Sequence, residues 1–84
     1  MSQKDKLTER ILSHPKDFSF QEVVTLLRHC GYTERTGGKT GGSRVTFVND
    51  NKDYIRIHKP HPRNTLLPYQ LSNLIRDLTE RGLL

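Results

Sequence analysis

Phe20, Val23, Val24 and Leu27 recur at i, i+3, i+4 and i+7, the spacing of one apolar helix face. Ser19 and Glu22 frame its start as a capping box, each satisfying a free backbone N–H of the other. Gly31, just after Cys30, suits the left-handed position that closes such a helix. A second stripe, Leu71, Leu74, Ile75 and Leu78, begins after Pro68, a favourable first helical residue, and stops before Gly82. Leu7 and Ile11 mark a shorter helix over Lys4–His14, ended by Pro15.

Between the two longer helices the period changes to two. Tyr32–Arg35 suits a short strand, and Arg44–Val48 and Asp53–His58 suit two more joined by the turn Asn49-Asp50-Asn51-Lys52. Val45, Phe47, Ile55 and Ile57 then face the helices, while Arg44, Thr46, Tyr54, Arg56 and His58 face away. A slip of one residue would bury Arg44 and Arg56, which is costly. The order α-α-β-β-β-α predicts an α+β fold: a small sheet with helices on one face and a basic face left open. Gly37–Ser43 is too glycine-rich for regular structure and should form a mobile or ligand-approaching loop. It lacks the spacing and the following helix of a nucleotide-binding P-loop.

Size and composition narrow the class. With 84 residues the chain makes one domain with a modest core, burying roughly 60% of its unfolded surface. No apolar run approaches the roughly 20 residues of a membrane span. The charged start MSQKDKLTER is unlike a signal peptide, so the chain reads as cytoplasmic. The single cysteine, Cys30, allows no internal disulfide and reads as a small core residue. Of the net charge of +5, an excess of +4 falls between Thr33 and Arg63. Basic charge gathered on one stretch is the footprint of a nucleic-acid surface, although a solvated face would look the same.

Within that stretch, Ile57-His58-Lys59-Pro60-His61-Pro62-Arg63 sets two histidines among cations and stiff prolines. Histidine exchanges protons near neutral pH, and a pair can serve as base and acid at a phosphodiester. His58 ends the third strand on the open face beside Arg56; His61 sits between prolines. Proton transfer, an idle exposed histidine and a metal ligand all remain open for His58 at this point. His-x-x-His without a nearby cysteine falls short of the usual ligand set for zinc. His14 and His29 lie on helices and read as structural or solvent-facing, and Tyr54 could stack on a base.

From Phe20 to Leu84 the chain resembles HicA-type toxins, the small messenger-RNA-cleaving partners in type II toxin–antitoxin pairs. The resemblance rests on four features: the helix ending Cys30-Gly31-Tyr32, the glycine loop leading to Gly42-Ser43-Arg44-Val45, the segment Ile57–Pro62, and the last helix ending Gly82-Leu83-Leu84. It implies a double-stranded-RNA-binding-domain-like α-β-β-β-α fold, a single domain over residues 1–84 with residues 1–17 as an N-terminal helical extension. It further implies an mRNA substrate, a HicB-type antitoxin partner and no cofactor, metal or membrane. Typical members carry their catalytic histidine directly after the Gly-Ser pair, where this chain has Arg44. Arginine keeps the cation but does not exchange protons usefully. The branch that reads Gly-Ser-Arg also carries His-x-Pro-His-Pro, which implies His58 and His61 as the catalytic imidazoles. Lys39, Ser43, Arg44, Arg56, Lys59 and Arg63 are then the RNA-binding residues. A non-catalytic RNA-binding module on the same face is the alternative, followed by a module for an acidic protein partner.

Overall fold

The computed structural model describes residues 3–35, 44–60 and 63–84. The helices are α1 (Gln3–Leu12), α2 (Phe20–His29) and α3 (Pro68–Glu80), and the strands are β1 (Thr33–Glu34), β2 (Arg44–Val48) and β3 (Tyr54–His58). The predicted α-α-β-β-β-α order of an α+β fold is therefore present. The strands form one antiparallel sheet in the order β1-β2-β3, which makes β3 an edge. The glycine loop, including Lys39 and Ser43, lies outside the described residues, as does His61.

The helix ends follow local chemistry. Ser19 Oγ accepts from Glu22 N–H at 3.1 Å, and Glu22 Oε1 accepts from Ser19 N–H at 3.0 Å, so the capping box is complete. Gly31 closes α2 at φ +90°, in the left-handed region that glycine enters without cost from a Cβ. Helix α1 stops at Leu12, two residues before the expected His14. Pro15 bars His14 from right-handed helical backbone, and His14 turns left-handed at φ +53°. At the start of α3, Gln70 Oε1 accepts from Leu67 N–H at 2.9 Å.

One core joins the layers. Phe47 and Ile55 are buried from the sheet, with Val45 and Ile57 packed beside them, against Phe20, Val23 and Leu27 of α2 and Leu71, Leu74 and Leu78 of α3. The Phe20 and Phe47 rings meet at 6.3 Å between centroids. Leu7 and Ile11 attach α1 to the same cluster, and Arg10 fastens it by donating to Glu22 at 2.5 Å and Asp17 at 3.0 Å. The Arg10 guanidinium holds the Glu22 carboxyl below its ordinary range. A short clasp ties the segment after β3 to the start of α2: Phe20 N–H donates to Asn64 C=O at 2.8 Å and Leu66 N–H to Phe18 C=O at 2.9 Å. Cys30 is half-buried against the core, and burial pushes its thiol up. Among the described residues, no helix is long and apolar enough to cross a membrane.

Candidate active site

Register decides which side chains meet on the open face. Arg44 pairs with His58, Thr46 with Arg56 and Val48 with Tyr54, while the inward pairs are Val45–Ile57 and Phe47–Ile55. The Thr46 carbonyl accepts from Arg35 N–H at 2.8 Å, so the backbone of Thr46 turns toward β1. By the alternation of an antiparallel ladder, Arg44–His58 and Thr46–Arg56 are then pairs without backbone bonds between them. In such pairs the Cα atoms approach to about 4.5 Å and the side chains lie closest. An exposed imidazole and an exposed guanidinium thus stand directly across from each other.

The neighbouring residues extend this basic face. Tyr54 is 36% exposed, and its ring is engaged by two guanidiniums, Arg35 and Arg56, each 5.9 Å from the centroid. Instead of standing open as a stacking platform, the tyrosine orients a pair of cations. Arg35 belongs to this face although strand alternation alone did not single it out; its charge beside the first strand was the available signal. Lys59 turns the other way, its ammonium 5.9 Å from the Phe20 ring on the helical side. Arg63 is exposed in the segment that pairs Thr65 with Ser19. The structure therefore brings Arg44, Arg56 and His58 together on the open face and sends Lys59 to the helical side.

Behind this face, Asp53 accepts from both the Tyr32 hydroxyl and the Arg81 guanidinium. Arg81 also donates to Asp77 at 3.0 Å and to the Tyr54 carbonyl at 3.1 Å. Arg81 chiefly, with Tyr32, holds the Asp53 carboxyl below its usual range. Burial, and then donation to Asp53, push the Tyr32 hydroxyl up. This group locks the start of β3 to the end of α3, so α3 runs antiparallel to β3 and its first turn lies near His58. Sequence spacing offered no sign of the contact, because its members come from three distant segments.

Among the described residues, no three His, Cys, Asp or Glu side chains gather as a metal site needs. Compared with models of protein families, residues 20–79 match one described as HicA toxin of bacterial toxin-antitoxin. The chain belongs to the HicA toxin family. It is accordingly a toxin of a toxin–antitoxin system, in a family that is generally one of ribonucleases, with RNA as substrate and an antitoxin as partner. The match begins at the first residue of α2 and leaves α1 outside. No curated protein and no solved structure matches this HicA chain.

Proposed function

We propose that this HicA protein cleaves messenger RNA on the open face of its sheet, without a metal, and that a HicB-type antitoxin silences it by covering that face. The observation that carries the reading is the cross-strand pair of Arg44 and His58 on a basic surface. Two groups are needed to move protons at a phosphodiester. One imidazole of His58 and His61 removes the proton from the 2′-hydroxyl. The 2′-oxygen attacks phosphorus, the bond to the 5′-oxygen breaks, and the other imidazole protonates the leaving oxygen. Arg44, directly opposite His58, meets the negative charge that builds on the phosphoryl oxygens, a contribution that is often the largest in such reactions. Arg56 holds the flanking backbone, with Arg63, Lys39 and Ser43 as further RNA contacts. On this reading residues 1–84 act as one domain and α1 is an added buttress.

The test is incubation of the purified chain with a messenger RNA in excess chelator. Fragments ending in a 2′,3′-cyclic phosphate, absent with His58→Ala, are the expected result; intact RNA refutes the enzyme reading. A second reading has one specific support, the arginine at position 44 where typical members carry the catalytic histidine. A non-catalytic RNA-binding module would hold RNA with a steep salt dependence, yet leave it uncut and cells unharmed.

A further inference from the structure

A groove of about 320 Å³ runs between the open edge of β3 and α3. This is at the small end of ligand sites, which span about 300 to 1,000 Å³. Its strand wall is Ile55 to His58, and its helix wall is Tyr69, Gln70, Asn73, Leu74 and Asp77. Tyr69, Asn73 and Asp77 follow one another at four-residue steps along α3, on a line separate from the buried Leu71–Leu74–Leu78 face. The groove opens beside His58, and His58 is one of its lining residues.

We propose that this groove receives one base of the RNA adjoining the cleaved phosphate, an inference that rests on the ribonuclease reading above. Tyr69 is 63% exposed, and among the described residues its ring has no aromatic or cationic neighbour, so one face is free to stack on a base. Asn73 is exposed and its side chain makes no hydrogen bond among the described residues, which leaves both its donor and its acceptor for a base edge. Gln70 spends its carbonyl on Leu67 N–H and keeps its amide donors. Ile57 and Leu74 supply apolar contact. At the far end Asp77, paired with Arg81, repels a phosphate but accepts from an exocyclic amine. The base therefore lies inward and its phosphate outward, toward His58 and Arg56.

The backbone of β3 favours a nucleotide over an added peptide strand. Since Thr46 turns toward β1, the N–H and C=O groups of Tyr54, Arg56 and His58 point to the open edge. Arg81 already occupies the Tyr54 carbonyl, so the free edge is limited to the three residues Arg56–His58, ample for a base and at the lower limit for a strand.

The experiment has two arms on the full chain. In the first, backbone amide shifts are recorded during titration with each of the four nucleoside 5′-monophosphates, with inorganic phosphate as control. Tyr69, Asn73 and Leu74 should move with at least one nucleotide and not with phosphate; no movement, or equal movement with phosphate, overturns the proposal. In the second, Tyr69→Ala should raise KM for a short RNA by roughly tenfold, with Tyr69→Phe near the parent. Asn73→Ala should flatten the base preference next to the cut. Unchanged KM and cutting pattern, or a loss confined to antitoxin binding, overturns it. If the parent chain cuts no RNA, the ribonuclease reading fails, and the first arm still judges the groove.

Discussion

Arg44 and His58 are direct cross-strand partners, in a pair where no backbone bond holds the side chains apart. An imidazole at either position would stand on the same open face, the two positions lying about 4.5 Å apart at the backbone. On the proposed reading, the arginine at the usual histidine position and the histidine opposite it form one unit whose members can be exchanged.

That exchange can be measured. His58→Ala should lower the rate of RNA cleavage by roughly 100-fold or more, the usual cost of removing a proton-transfer group. His58→Arg should be as inactive. Adding Arg44→His to His58→Arg restores the imidazole and the cation on opposite strands and should recover at least tenfold (order-of-magnitude estimate). No recovery would mean that the side of the pair matters and that the two positions are not equivalent.

RNA binding should carry the signature of counterion release. For single-stranded RNA, each phosphate contact contributes about 0.7 to the slope of log affinity against log salt. Arg56→Ala, on the open face, should make that slope shallower by about this amount. Lys6→Ala, on exposed α1, should leave it unchanged. Equal slopes for both variants would move the RNA off the sheet.

Helix α1 should contribute to stability through its buried face. Ile11 is fully buried, and Ile11→Ala should cost about 2 to 5 kcal/mol in urea unfolding. Its neighbour Leu12 is 47% exposed, and Leu12→Ala should change stability by less than about 0.5 kcal/mol. Similar losses at both positions would contradict the packing of α1 against α2 and α3.

Acid should weaken the fold through two carboxylates. Both Glu22 and Asp53 are held below their ordinary ranges, by Arg10 and by Arg81 respectively. A depressed folded-state pKa gives stability that is complete above the unfolded value and disappears as pH falls through the folded one. The urea midpoint should therefore decline as pH drops below about 4.5. Asp53→Asn and Glu22→Gln should each lower stability near neutrality and flatten that acid slope. A parent slope that survives both substitutions would place the acid sensitivity elsewhere.

The faces of the sheet were legible because side chains alternate with period two. Val45, Phe47, Ile55 and Ile57 read as core and Arg44, Arg56 and His58 as surface before any coordinates. The caps at Ser19, Gly31 and Pro68 were legible because they depend on three or four neighbouring residues. The groove was not. It requires the direction of α3 across β3, and Arg81 sets that by reaching Asp53, 28 residues away in the chain. Tyr69 left a faint sign, an aromatic residue off the apolar stripe of its helix. Lys59 follows His58 in sequence, but the same alternation sends its ammonium to Phe20 on the other side.

The grip of Arg81 on the Tyr54 carbonyl also bears on how copies of the toxin behave when crowded. An unpaired sheet edge is a template on which a second molecule can zip. With the first acceptor taken, the free edge shrinks from the five residues of β3 to the three of Arg56–His58, the bottom of the usual range of about three to ten for a strand. One side chain near the end of α3 thereby guards against edge-to-edge aggregation, so losing it would endanger solubility as well as stability.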